Sequence, residues 1–504
     1  MPCDPLQELK PLDLTTVHSV ASLVGGLSLC SFGARMLGEA TAKFHRWLAD
    51  GRLPTIVYER GLDASLESLL QEMVARRWVS QVVTQREYAE KFIVADPVVV
   101  LGAYSPDFEA SLSDESTLFI NPFGLTKPHQ VTDGYYPNVV FSDPRFVMPV
   151  IFAVLEEKLL GRRTNIVPFI EGLSPYGGLA TQVARGARSL LAMISDPDCT
   201  VILTLSGAMT IAKMGLVLCD VIDHKLVQGI CSTGALMAHG LVESIGLKHY
   251  KYDPTQDDSD LAARKLNRVT DTLEPESNLE EIKAAIMAVL DGDHRTEAWS
   301  PRRFHQQMGK YLTERYPQQR GLLKSAYEQD VPVFVPAFHD SEIGNTLYVH
   351  NLLRKREGKA PLAFNQELDT EYLLNLFVRS SKLGIFTVGG GVPRNYVQNV
   401  PPLIDIINES AEVRLPEKKF TYGCRICPDP PYYGHLSGCT YSEGVSWRKM
   451  HDSGYFSEIR ADATLVLPFL IKYVLELTGS KYSRYDRNRA ESDDQLLKNS
   501  GRRG

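Results

Sequence analysis

The chain has 504 residues, of which 44% are hydrophobic and 23% charged, with a formal net charge of −7. This is an ordinary globular composition, with length for roughly two to four domains. The acidic balance argues against a nucleic-acid binder and suits a cationic ligand such as a polyamine. No run of about 18 apolar residues is present, so no membrane span is expected. Met1 to Leu14 lacks a basic segment followed by an apolar core, so no signal peptide is expected. Eight cysteines scattered over the chain read as reduced thiols, which points to a cytoplasmic protein.

Residues 16–48 read as helical, with a break expected at Gly25-Gly26. They complete an N-terminal helical part, 1–50. Residues 51–180 change character, with prolines, aromatics and short apolar runs such as Pro97–Leu101 and Thr164–Ile170. They read as an insertion or extra module without a catalytic motif. A helix over Ala184–Ile194 leads into the core, 181–479. Four apolar strands are expected there: Thr200–Leu205, Leu226–Cys231, Val331–Val335 and Leu383–Val388. The last stretch, 480–504, is polar and reads as a disordered tail.

Near-continuous apolar strands separated by helices predict an α/β fold: a Rossmann-like parallel sheet covered by helices on both faces. Ligands of such sheets bind beyond the carboxyl ends of the strands. Those ends carry Ser206-Gly207, Thr233-Gly234, Asp340-Ser341 and Gly389-Gly390-Gly391. Small residues let the backbone approach a phosphate, and a following helix N-terminus offers N–H donors. The set therefore predicts a nucleotide.

The run Ser442-Glu443-Gly444-Val445-Ser446-Trp447-Arg448-Lys449 groups a carboxylate, an indole and an amine. A lysine with a lowered pKa can form a Schiff base. An indole face attracts an ammonium, and a carboxylate can anchor an amine or move a proton. Arg448, next to Lys449, is a candidate for lowering its pKa. Cys424-Arg425-Ile426-Cys427 lacks the second cysteine pair of a zinc site, with only His435 and Cys439 nearby, so no metal is expected.

The segments Ser28–Ala40, Asp198–Leu216, Gln228–Lys251, Lys265–Leu279, Asp330–Asn345, Gly384–Asn399 and Gly434–Tyr473 resemble, in order, the deoxyhypusine synthase family. Gly389–Asn395 and Leu436–Trp447 are most similar to its bacterial and archaeal branch. The resemblance implies the deoxyhypusine synthase fold and NAD-dependent transfer of a 4-aminobutyl group from spermidine or a related amine. The transfer would pass through an imine on Lys449 to an acceptor amine. That acceptor is a translation-factor lysine, giving deoxyhypusine, or a free amine, giving homospermidine. It gives Trp447 the polyamine chain, Glu443 an amine end or a proton, and Asn399 a polar contact with substrate. For NAD it implies Ser206, Gly207, Thr233, Gly234, Asp340, Ser341, Gly389, Gly390, Gly391, Ser437, Asp462, Ala463 and Thr464. Asp340 and Asp462 suit ribose hydroxyls. It also implies a homotetramer with sites at a dimer interface.

Three positions depart from the eukaryotic pattern: Asn395 replaces a histidine, and Asn345 and Leu436 replace aspartates that grip the polyamine. Each lost charge-assisted contact removes roughly 1.5–3 kcal/mol. Glu342 or His435 could compensate, and His239 could act as the base. Putrescine or agmatine would need fewer or different anchors than spermidine. The alternative function is a non-catalytic NAD-binding paralogue that regulates a partner subunit. A third reading, an NAD-dependent deacylase, is disfavoured by the missing zinc cysteines.

Overall fold

The computed structural model describes residues 6–59, 61–90, 97–104, 108, 112–113, 116–121, 138–292, 298–411 and 413–479. The expected tail, 480–504, lies outside them. Fourteen strands are described. The first five are β1 Thr55–Tyr58, β2 Gln81–Thr84, β3 Val98–Leu101, β4 Thr117–Ile120 and β5 Val139–Val140. Then come β6 Cys199–Leu205, β7 Gly229–Ser232, β8 Tyr250–Lys251, β9 Leu266–Val269 and β10 Thr272–Pro275. The last four are β11 Val333–Phe334, β12 Lys382–Val388, β13 Phe420–Ile426 and β14 Met450–Ile459.

The main sheet is parallel throughout, in the order β11-β7-β6-β12-β13-β14. Numbering those six strands by chain position gives 3-2-1-4-5-6, the doubly wound dinucleotide-binding order. Alternate residues face opposite cores. Val201, Leu203 and Leu205 join the larger core cluster, while Ile202 joins the smaller one with Leu383 and Ile385. Burial on both faces is why these strands read as unbroken apolar runs.

The four expected strands are present, with β7 and β11 shorter or shifted from the expected bounds. The expected helical break at Gly25-Gly26 is not there. Both glycines lie inside the helix Val20–Leu27, and the chain turns at 28–31 before the helix Phe32–Ala49. Burial of Val20, Leu23, Val24 and Leu27 outweighs glycine's poor helix propensity. Among the described residues no single helix is long and apolar enough to cross a membrane.

The strands β1 to β5 build a second parallel sheet in the order β2-β1-β3-β4-β5. One face, with Ile56, Val99, Leu101, Leu118, Ile120 and Val140, packs into the larger core cluster. The other, with Val57, Val98, Val100, Phe119 and Val139, packs under Tyr104 and Phe108. The helices Pro144–Leu160 and Ile166–Gly172 fall within the range read as a module, yet they pack against the main body of the protein. Phe146 and Phe169 meet Phe469 of the helix Ala463–Thr478 at ring-centroid distances of 5.6 and 5.9 Å.

Candidate functional site

The switch point of the 3-2-1-4-5-6 sheet lies between β6 and β12, and a cavity of about 600 Å3 opens there. Ser206, directly after β6, donates its backbone N–H to Val388 O at 3.0 Å. Its Oγ accepts from Gly390 N at 2.7 Å, tying the two loops together. Gly389 has φ +84° and Gly390 sits where a Cβ would lie 2.6 Å from Ser437 Cα. Both positions therefore need glycine. Thr233 caps the helix Gly234–Ser244 without a side-chain hydrogen bond, so its first N–H groups stay available at the cavity wall. His239, one turn further on, lines the same wall, and Asp340 and Asp429 stand on other sides.

The lysine arm starts in the short helix Tyr441–Ser446, where Thr440 Oγ accepts from Glu443 N. The chain turns at Trp447 and Arg448, the latter at φ +56°, and enters β14. Lys449 is half-buried there, with its N–H bonded to Gly444 O and its C=O to Phe420 N. Its Nζ donates to Asn395 Oδ1 at 3.0 Å and lies 5.6 Å from the Trp447 ring centroid. Asn395 belongs to the helix Val392–Gln398, whose first residues line the cavity. Burial lowers the Lys449 pKa from its ordinary value, and the Arg394 guanidinium adds to this. Glu443 and Cys439 act in the opposite sense.

The neighbouring cation is thus Arg394, not Arg448. Arg448 is exposed and turns to Asp405 at 3.8 Å. Arg394 is buried, donates to Cys439 O at 2.6 Å and lies over the Tyr441 ring.

Of the expected cofactor residues, Ser206, Gly207, Thr233, Gly234, Asp340, Gly389, Gly390, Gly391 and Ser437 line the cavity. Ser341 instead caps the helix Glu342–Arg356, its Oγ accepting from Gly344 N at 3.1 Å. Asp462, Ala463 and Thr464 do not line the cavity. Asp462 accepts from Thr464 N and from Gly33 N, and Thr464 Oγ accepts from Ala34 N. That carboxylate caps two helices.

Among the expected substrate residues, Asn395 meets Lys449, and Asn399 follows one turn later on the same side. Glu342 is close enough to His239 to raise its pKa. Asn345 and Leu436 are exposed, and His435 is 4.0 Å from Asp429. Thr210, Ile211, Val269, Ala337, Val392, Pro393, Cys427 and Asp429 line the cavity without having been read from the sequence. Cys427 and Asp429 follow β13, and a carboxyl-end rule applied to that strand would have found them.

The fold and cavity define a doubly wound α/β protein with a cavity at its switch point; Lys449 does not line that cavity and is tied to it through Asn395, on the helix whose Val392 and Pro393 do. The deoxyhypusine synthase family model matches residues 169–474. A "Deoxyhypusine synthase-like protein" of Chlorobaculum parvum is 32% identical over 310 residues, covering 61% of this chain and 86% of the relative. "Probable deoxyhypusine synthase 2" of Methanosarcina mazei is 30% identical over 316 residues, covering 62% and 88%. The "Deoxyhypusine synthase-like protein" of Coxiella burnetii is 27% identical over 326 residues, covering 63% and 90%. The chain belongs to the deoxyhypusine synthase family, a family of transferases.

Proposed function

We propose that this protein is an NAD-dependent aminoalkyl transferase working through an imine on Lys449. The observation that carries it is Lys449 itself: a half-buried amine with a lowered pKa, held beside an indole by Asn395, whose helix begins in the wall of the switch-point cavity. A dinucleotide fits the residues present. The free N-terminus of the helix Gly234–Ser244 suits a pyrophosphate, and Asp340 suits ribose hydroxyls. Bound there, NAD would accept a hydride from the donor amine and return it to the product.

The chain's own residues do the rest. The uncharged Nζ of Lys449 adds to the imine carbon of the oxidised donor, the carbon–nitrogen bond to the donor's other amine breaks, and that amine leaves carrying the two hydrogens lost by Nζ. Asn395 accepts from Nζ and aims it, and Trp447 packs on the bound amine. Glu443, exposed in the first turn of its helix, holds an amine end. The acceptor amine then takes the aminoalkyl carbon and frees Lys449. Trp447, Tyr432, Tyr433 and Leu436 expose apolar surface near this arm, which supports a homo-oligomer closing over it.

Borohydride added with NAD and each of spermidine, putrescine and agmatine tests the reading. Mass spectrometry is expected to find an adduct on Lys449. A Lys449→Ala variant with normal turnover would exclude the mechanism, and no NADH with any amine would favour the non-catalytic paralogue. Products with a free amine or a protein lysine separate the two acceptors.

A further inference from the structure

His239 stands at the outer end of a buried row of charged and polar groups. Its Nδ1 lies 2.8 Å from Glu274 Oε2, on β10. The other oxygen of Glu274 faces His249 Nε2 at 3.7 Å. His249 Nδ1 is 2.9 Å from Lys213 Nζ, and Lys213 pairs with Glu243 at 2.5 Å. Glu274, His249 and Lys213 are each at most 2% exposed as residues. Glu342 also faces His239, and Cys30 faces Glu243 and Lys213.

The donors and acceptors fix the protons along this row. A lysine ammonium can only donate, so His249 Nδ1 accepts and its proton sits on Nε2, toward Glu274. The Glu274 carboxylate lies between the two imidazoles, 2.8 Å from His239 Nδ1 and 3.7 Å from His249 Nε2, and its negative charge favours the His239 proton on Nδ1. Nδ1 is buried while His239 lines the cavity, so the exposed edge carries Nε2. Lys213 reaches this position with φ +69°, a conformation rare outside glycine, so local strain accompanies the row.

We propose that Glu274, His249 and Lys213 are positioning residues that present His239 Nε2 to the cavity as the acid–base group of the reaction. This rests on the amine-transfer reading above. Oxidising a secondary amine to an imine removes one hydride and one proton. The N–H proton goes to His239 Nε2, and NAD bound in the cavity would supply the hydride acceptor. Reduction of the final imine takes both back. The electrostatics agree. Burial opposes charge on His239, but Glu274 and Glu342 together outweigh it and the pKa is raised. Burial and Lys213 keep His249 below its ordinary pKa, and Glu274 stays ionised with a pKa of about 2.

The test is a long-range 1H–15N titration of histidine-labelled protein without nucleotide, with His239→Gln used to assign the signal. Neutral His239 is expected as the Nδ1–H tautomer, with His249 as Nε2–H. In Glu274→Gln the His239 midpoint is expected to fall by about one to three pH units. An Nε2–H tautomer for His239 in the wild-type protein, or an unmoved midpoint in folded Glu274→Gln, would overturn the proposal. The wild-type tautomer needs no variant, so it decides even if Glu274→Gln does not fold. If the titration behaves as expected while no amine yields NADH, the transferase reading fails and so does the acid–base role, leaving only the orientation of His239. NADH formation with the wrong tautomer overturns the positioning row alone.

Discussion

Lys449 Nζ meets Asn395 Oδ1, a neutral acceptor, at 3.0 Å. A neutral partner orients the amine without favouring its ammonium form, so the depressed pKa of Lys449 survives the contact. Asn395→Asp would place a carboxylate there and stabilise the ammonium. The alkaline limb of borohydride trapping at Lys449 is expected to move up by at least about one pH unit. Below that limb, trapping falls roughly tenfold. An unmoved limb would mean that Asn395 does not set the state of the lysine.

Arg394 and Arg448 provide a paired comparison. Arg448 is exposed and makes a long contact with Asp405, so Arg448→Ala should change stability by less than about 0.5 kcal/mol. It should leave the limb in place. Arg394→Gln removes the buried cation beside Lys449, and the limb is expected to rise. The reverse order of effects would restore Arg448 as the tuning residue.

These two arginines mark where reading the sequence stops. Arg448 adjoins Lys449 in the chain, but its side chain leaves across the turn. Arg394 reaches Cys439 O 45 residues further on, a contact with no local signature. His239 and Glu274 are joined in the same way. By contrast, β6 and β12 were legible because both faces of each are buried, leaving long apolar runs. β14 was not, since its first half, with His451, Asp452 and Ser453, is exposed at the sheet edge. The second parallel sheet stayed hidden because its described strands have four residues or fewer. Such runs do not distinguish strand from loop.

Asp462 separates a cap from a cofactor ligand. Asp462→Ala loses the acceptor for Thr464 N and leaves Gly33 N without its partner. A cost of about 1–2 kcal/mol in urea unfolding is expected. NAD affinity of the folded variant should not change, whereas a ribose ligand would lose it markedly. A large loss of affinity with unchanged stability would return Asp462 to the nucleotide site.

His305 predicts the acid limb of stability. It is fully buried, with Nδ1 2.6 Å from Pro301 O, and burial lowers its pKa to about 4. The unfolded chain, near the ordinary 6.5, takes the proton first. Stability is therefore full above about pH 6.5 and falls as pH drops toward 4, by roughly 3 kcal/mol at most. His249, also depressed, adds to the same slope. Urea midpoints at pH 7 and pH 5 should differ less in His305→Gln than in the wild type. An equal slope would show that His305 is not kept neutral.

The sheet of residues 55–140 gives the last test, because its position decides whether it can be removed. A detachable insertion would leave a folded core behind. Here Ile56, Val99, Leu101, Leu118, Ile120 and Val140 are inside the cluster that also holds Trp47, Phe146 and Ile151. Removing the sheet strips that cover from the helices Phe32–Ala49 and Pro144–Leu160, which supply the lower layer of the core. Each large apolar side chain so uncovered costs about 1.5–3 kcal/mol, and a few of them match the whole stability of a typical domain. A chain with residues 53–141 replaced by a short Gly/Ser linker is therefore expected to aggregate, or to lose its cooperative thermal transition by circular dichroism. A monodisperse variant melting near the full chain would mean that the sheet is a separable module. It would also mean that the core cluster reaches its stability without it.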